Sequence, residues 1–227
     1  MKFPDEILYN IDSIPVYLSR RGLVYCGDCI KILRQFPSCS IDLIVTDPPY
    51  GIAYNRNGTQ VIRNDTRNKA TALFDSLLIE AARILKPGRC LVTFCFSGGK
   101  SPIFPNWIRL MERYLEYKNT IVWNKGSIGR GAHYRHQYDL ILVAKRRGKK
   151  CLWNGDYNVS NIIMQPRASV GELDHPTPKP VELLKHFIRL HSNKGEIVVD
   201  PFAGHGSTLM AAFALGVCRD TLLGFRI

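Results

Sequence analysis

The run Ile41-Asp-Leu-Ile-Val-Thr-Asp47 carries apolar, largely β-branched residues on both of its alternating faces. Such a strand cannot leave one side to water, so it calls for a sheet covered by helices on both sides. "GLVYCGD" (22–28), "CLVTFCF" (90–96), "NTIVWNK" (119–125), "YDLILVAK" (138–145) and "EIVVD" (196–200) are further strand candidates. The Gly-rich segment between 119–125 and 138–145 predicts that these two form a hairpin or lie side by side. Helical signals interleave. "CIKILRQF" (29–36) gives a turn or two, and residues 73–88 align Leu73, Leu77, Leu78, Ala81, Ile84 and Leu85 on one face before a stop at Pro87-Gly88. "PVELLKHFIRLH" (180–191) opens with Pro180 at the first helical position. Residues 51–70 are polar and aperiodic, which predicts a mobile loop. This alternation predicts a doubly wound, mostly parallel α/β sheet.

With 227 residues and no linker-like segment, the chain is expected to form a single domain over 1–227. It holds 31 Lys plus Arg against 19 Asp plus Glu, a formal charge of +12, which favours a polyanionic partner through counterion release. Basic residues cluster in "GRGAHYRH" (129–136) and "AKRRGKK" (144–150). No apolar run approaches a membrane span, and the acidic residues and prolines of residues 1–22 interrupt any signal peptide, so no membrane partner and a cytoplasmic location are expected. The seven cysteines sit mostly in apolar segments, as buried reduced thiols do. Cys26 and Cys29 form a C-x-x-C without a second ligand pair, so no metal is expected.

Two strand ends carry chemistry. Asp47 closes the first strand and is followed by Pro48, Pro49 and Tyr50. Asp200 closes another and is followed by Phe202, Ala203, Gly204 and Gly206, after which Ser207 or Thr208 can cap a helix running through Leu209, Met210, Ala212 and Phe213. Strand, glycine turn and helix offer backbone N–H groups to a ligand, and an acid at the strand end would offer a counter-charge to an ammonium group.

The order of "GDC" (27–29), "TDPPYG" (46–51), "ARILKPG" (82–88), "VWNKG" (122–126), "RHQYDLILVAK" (135–145), "HPTPKPVELL" (175–184) and "DPFAGHGSTL" (200–209) resembles the S-adenosylmethionine-dependent DNA amino-methyltransferases, in the permuted β order where the catalytic motif precedes the cofactor loop. The resemblance implies a circularly permuted, seven-stranded-type Rossmann-like sheet with one antiparallel strand, abbreviated at its C-terminal side. It implies methyl transfer from S-adenosylmethionine to the N6 amino group of an adenine rotated out of double-stranded DNA. An exocyclic amino group must become pyramidal before it attacks. The Asp47 carboxylate and the Pro48 carbonyl would accept its two N–H bonds, Pro49 would help to fix the backbone, and Tyr50 would stack on the base.

By the same resemblance Asp200, Phe202, Ala203, Gly204, Gly206 and Ser207 would line the methionine end of the cofactor site, with Asp28 and Cys29 at its adenine. His175, Thr177 and Lys179 would close over the methionine moiety. Arg130, His133, Tyr134, Arg135, Arg146 and Arg147, with loops 51–70 and 146–174, would contact DNA as a reduced target-recognition region. Two positions depart from the family: His205 stands where serine is usual, and Phe225-Arg226 stand where an acid would bind the cofactor ribose. Cytosine-N4 methylation, an impaired DNA-binding relic and a homodimer stay open.

Overall fold

The computed structural model describes residues 17–19, 22–52, 55–56, 59–60, 66–98, 102–129, 133–168, 178–216 and 222–226. The elements are β1 (Tyr17–Ser19), β2 (Gly22–Cys26), α1 (Cys29–Leu33), β3 (Ile41–Thr46), β4 (Asn55–Arg56), β5 (Thr59–Gln60), α2 (Arg67–Ile84), β6 (Leu85–Cys95), α3 (Phe104–Tyr114), β7 (Glu116–Asn124), β8 (Tyr138–Lys145), β9 (Ile162–Met164), α4 (Val181–His191), β10 (Val198–Asp200), α5 (Ser207–Leu215) and β11 (Leu222–Arg226). All but β4 and β5 join one nine-stranded sheet in the order β1-β2-β11-β10-β3-β6-β8-β7-β9. Within the seven strands from β2 to β7 only β8 is antiparallel to its neighbours. The short strands β1, antiparallel to β2, and β9, parallel to β7, are additions at the two edges.

Every residue of β3 is buried, as its two apolar faces require. Ile41 and Ile44 point into one core layer with Phe74, Leu77 and Ala81 of α2 and Trp107 and Met111 of α3, whereas Leu43 and Val45 point into a second with Leu184, Phe187 and Ile188 of α4 and Ala211 and Ala212 of α5. A fully buried aliphatic side chain contributes about 1.5–3 kcal/mol, so the alternation over Leu43, Ile44 and Val45, past an irregularity between Ile41 and Leu43, fixes which helices lie on which face.

Several boundaries differ from the sequence expectation. The helix expected from 73 begins at Arg67, taking its first turn from the polar stretch 51–70. It ends at Ile84 rather than at Pro87-Gly88, because Pro87 disfavours helical geometry at Lys86 and Leu85 already pairs with Ile41 in the sheet. Helix α3 and strand β9 lie outside the sequence expectation: β9 is only three residues long, and α3 sets Phe104, Trp107, Ile108 and Met111 at helical spacing, with Trp107 and Met111 buried and the Trp107 ring stacked on Phe74 at 3.9 Å. Pro180 caps α4 from outside rather than occupying its first turn. Gly206, not Ser207 or Thr208, is the N-cap of α5, in a left-handed conformation.

Candidate active site

β3 and β10 are parallel neighbours, with Val198 beside Leu43 and Val199 beside Ile44. From β3 the sheet grows towards β6, and from β10 it grows the other way, towards β11 and β2. Open α/β sheets part their loops where the winding direction reverses, so a crevice is expected above the carboxyl ends of β3 and β10. The Asp47 loop and the Asp200 turn leave these two strand ends side by side. Thr46 Oγ1, one residue before Asp47, donates to Asp200 Oδ1 at 2.9 Å.

Pro48 and Pro49 are buried and carry their carbonyls on a backbone whose φ the two rings hold fixed. After Tyr50 the chain must turn sharply. Gly51 has φ +72, and a Cβ there would lie 2.5 Å from the Arg67 Cα, so only glycine fits. The Tyr50 hydroxyl donates to Asp47 Oδ1, and the Lys179 ammonium donates to Asp47 Oδ2. Each carboxylate oxygen keeps further acceptor capacity. The Tyr50 ring stacks near Phe96 (6.3 Å, 19°) and tilts against Trp107 (6.2 Å). Burial, and then the Asp47 charge, push the Tyr50 hydroxyl well above its ordinary pKa, so it remains a donor. Lys179 Nζ also lies 5.1 Å from the Phe94 ring centroid and 5.9 Å from that of Tyr50.

Asp200 is buried, and its carboxylate faces inward. Oδ1 accepts from Thr46 and from the Phe202 N–H at 3.0 Å, and Oδ2 accepts from Thr208 Oγ1 at 2.6 Å. Burial raises its pKa to about 6. Asp200 therefore holds the turn together rather than standing open as the counter-charge expected for an ammonium group. Phe202 is half-buried and Ala203 is buried, whereas Gly204 (φ 52) and His205 are exposed; the Gly206 N–H (φ 80) bonds the Ala203 carbonyl at 2.7 Å, leading into α5 at Ser207. Asp28 ends the approach from β2 as N-cap of α1, with Oδ1 accepting from Ile30 N at 2.9 Å and Lys31 N at 3.1 Å. Its Oδ2 has no hydrogen bond among the described residues. Cys29 beside it is buried, and burial pushes its thiol up to about 12, so it is an inert core thiol.

The basic residues separate. His133 (φ 55), the exposed Tyr134 and Arg135 lie on the loop between β7 and β8, at the same sheet edge as Asp47; Arg135 Nε donates to the Gly129 carbonyl at 2.8 Å. Arg146 and Arg147 follow β8 at the opposite edge. Arg146 Nη1 donates to the carbonyls of Leu85 and Arg83, the latter at 2.9 Å, and Arg147 Nη2 donates to the Glu112 carbonyl at 2.7 Å. These two arginines, expected to contact DNA beside the others, thus lie at the other end of the sheet from Arg135 and bond backbone carbonyls. Segment 151–161 also starts at that far edge, and β9 returns the chain to the Asp47 edge only at Gln165, whose N–H donates to the Asn124 carbonyl at 3.0 Å. Arg130, His175, Thr177 and parts of loops 51–70 and 146–174 lie outside the described residues.

Residues that sequence reasoning did not assign also line this edge: Phe96, Trp107, and the buried Lys125, paired with Asp139 at 2.9 Å. Lys125 and Asp139 fall within "VWNKG" and "RHQYDL", and Phe96 follows β6, whereas Trp107 lies in α3. His136 packs on Phe96 at 5.8 Å, extending the aromatic rim from Tyr50 towards the 129–136 loop.

The DNA methylase family of N6 and N4 type matches residues 41–169 and 156–219, most of the chain. The chain belongs to the N6/N4 DNA methylase family. The DNA adenine methyltransferase YhdJ of Escherichia coli (strain K12) is 31% identical over 224 residues, covering 84% of this chain and 74% of that protein. The type II methyltransferase M.HpaI of Haemophilus parainfluenzae is 30% identical over 203 residues, covering 80% of this chain and 63% of its own length. Among solved structures, the cytosine-N4-specific PvuII DNA methyltransferase superposes with a TM-score of 0.77 at 20% identity, covering 96% of this chain and 86% of that one. M1.HpyAVI in complex with S-adenosylmethionine gives 0.66 at 22% identity, covering 90% and 92%. The last two comparisons establish a shared fold.

A methylase of this family implies an S-adenosylmethionine site, and the residues here fit it at two of three points. The left-handed glycine turn before α5 brings exposed backbone to the switch-point crevice, and Asp28 keeps an acceptor oxygen at the carboxyl edge. The ribose position differs. β11 lies between β10 and β2 with Arg226 beside Cys26, so the strand expected to end in a diol-binding acid carries Phe225-Arg226 instead.

Proposed function

We propose that this methylase acts on the N6 amino group of adenine in DNA, with S-adenosylmethionine as donor. The observation that carries the reading is the junction of β3 and β10. It brings the Asp47 carboxylate, on a doubly proline-fixed backbone, next to the glycine turn that precedes α5. When bound, S-adenosylmethionine supplies a methyl group on a positively charged sulfur. The protein's task is to present the amino nitrogen. Asp47 accepts one N–H and the Pro48 carbonyl the other, which shifts the nitrogen lone pair out of conjugation with the ring. Both acceptors are in place before the base arrives, so little reorganisation is needed. Lys179 and the Tyr50 hydroxyl hold the carboxylate in place, one on each oxygen. The Tyr50 ring, backed by Phe96 and Trp107, offers an aromatic face to the extruded base, offsetting part of an unstacking cost of a few kcal/mol. Asp47 before the prolines, where cytosine-N4 relatives tend to carry serine, supports adenine as the target. Loop 129–136 supplies the basic approach to the duplex. The test is transfer of labelled methyl groups to duplex DNA: Asp47→Ala should abolish it while leaving calorimetric cofactor binding and far-ultraviolet circular dichroism unchanged. Undiminished transfer by that variant overturns the reading.

A further inference from the structure

At the edge of the sheet opposite Asp47, three groups from separate parts of the chain converge: Cys90 on β6, Cys151 in the segment after β8, and His191, the last residue of α4. One ligand atom from each lies within 4.8 Å of the others. The two sulfurs are 3.2 Å apart across a separation of 61 residues. Cys90 and His191 are buried, 1% and 4% exposed, and Cys151 is half-buried. His191 Nδ1 is enclosed without a hydrogen-bond partner among the described residues, an orphan that folded proteins rarely tolerate.

The surrounding chain is built to hold this geometry. Leu152 N donates to the Gly88 carbonyl at 3.1 Å and Asn154 N to the Leu190 carbonyl at 2.9 Å, fixing the backbone on either side of Cys151 to β6 and to α4. Asn154 Nδ2 adds bonds to the carbonyls of Arg189 (3.1 Å) and Ser192 (2.8 Å). The Trp153 ring closes edge-on against His191 at 5.4 Å.

We propose that Cys90, Cys151 and His191 form a zinc(II) site of Cys₂His type. Two thiolates and a neutral imidazole are the donor set a borderline-soft d¹⁰ cation prefers, and their combined charge neutralises the ion in a site that excludes most water. With Zn–S bonds of ~2.3 Å, two sulfurs of a tetrahedral site stand ~3.8 Å apart, so the pair need only open slightly; a disulfide at ~2.05 Å would need it to close by more than an ångström. Binding is a simple exchange: the cation enters, two S–H protons leave to solvent, and the fourth position opens on the exposed side of Cys151. Cys90 pairs with Leu43 in the sheet, four residues before Asp47, or ~13 Å at ~3.3 Å per residue. The site is therefore separate from the methyl-transfer crevice, and it ties the 151–154 segment to the end of α4.

The test is titration of the full-length, reduced protein with cobalt(II), followed by zinc(II). The expected result is one equivalent of cobalt with a thiolate-to-metal charge-transfer band and tetrahedral ligand-field bands, displaced by zinc with a rise in melting temperature. Cys151→Ser should weaken zinc by more than about 100-fold and remove the zinc-dependent rise, whereas Cys26→Ser should leave both intact. If Cys151→Ser does not fold, His191→Gln carries the same test. An absence of cobalt absorption, a spectrum unchanged in Cys151→Ser, or a Cys90–Cys151 disulfide in a protein that takes up no metal after reduction would each overturn the proposal.

Discussion

Replacing Thr208 with valine should destabilise the protein in a way that depends on pH, because it removes one hydroxyl donor from a buried carboxylate and changes little else. Asp200 is 3% exposed and accepts three bonds, two on Oδ1 and one, from Thr208 at 2.6 Å, on Oδ2. Valine keeps the shape of threonine and leaves Oδ2 without its donor. Burial has already raised the Asp200 pKa from 3.8 to about 6. A raised carboxyl contributes stability that is complete below its unfolded value and is lost as pH rises through the folded value, here on the order of 3 kcal/mol for a shift of about two units. At pH 8 Asp200 is ionised, and a hydrogen bond to a charged acceptor contributes about 1.5–3 kcal/mol; at pH 5 it is mostly neutral, and the same bond contributes about 0.5–1.5 kcal/mol. Thr208→Val should therefore lower the urea midpoint markedly at pH 8 and about half as much at pH 5, with the slope unchanged. A loss equal at both pH values, or below about 0.5 kcal/mol at pH 8, would refute the assignment of Thr208 as the donor that holds Asp200.

Four further variants separate roles inside the site and around it. Tyr50→Phe keeps the ring against Phe96 and Trp107 but deletes the hydroxyl bonded to Asp47, so steady-state methyl transfer should fall about tenfold, and Tyr50→Ala should fall by a further tenfold or more through lost stacking on the base. Arg135→Ala should weaken DNA binding and flatten its salt dependence in fluorescence anisotropy, whereas Arg146→Ala should leave both unchanged and lower the melting temperature, because Arg146 bonds the carbonyls of Arg83 and Leu85.

The sheet was legible because its strands are apolar on both faces, and β3 could not be read any other way. The β7–β8 pairing and the glycine turn before α5 followed from local signals too. Helix α3 has the spacing of an amphipathic helix in Phe104, Trp107, Ile108 and Met111, but its position depends on a Trp107–Phe74 stack with a partner far away in sequence. Sequence motifs located Asp47 and Asp200 but not their different fates. One carboxylate is held by Tyr50 and Lys179 at the crevice, and the other is turned inward by Thr46 and Thr208, a distinction set by burial across the β3–β10 junction. Composition also gathered basic residues that the fold separates. Arg135 and Arg146 look alike in a charge count, but β8 carries the chain from one sheet edge to the other between them. The Cys90, Cys151 and His191 cluster leaves no spacing pattern, since each ligand comes from a different element.

Asp47 and the Pro48 carbonyl are proposed to grip an adenine amino group beside the glycine turn. The most direct measurement is mass spectrometry of nucleosides from duplex DNA incubated with the protein and isotopically labelled S-adenosylmethionine. Labelled N6-methyldeoxyadenosine, absent with Asp47→Ala, is the expected result; label found in N4-methyldeoxycytidine, or in no nucleoside at all, would contradict it.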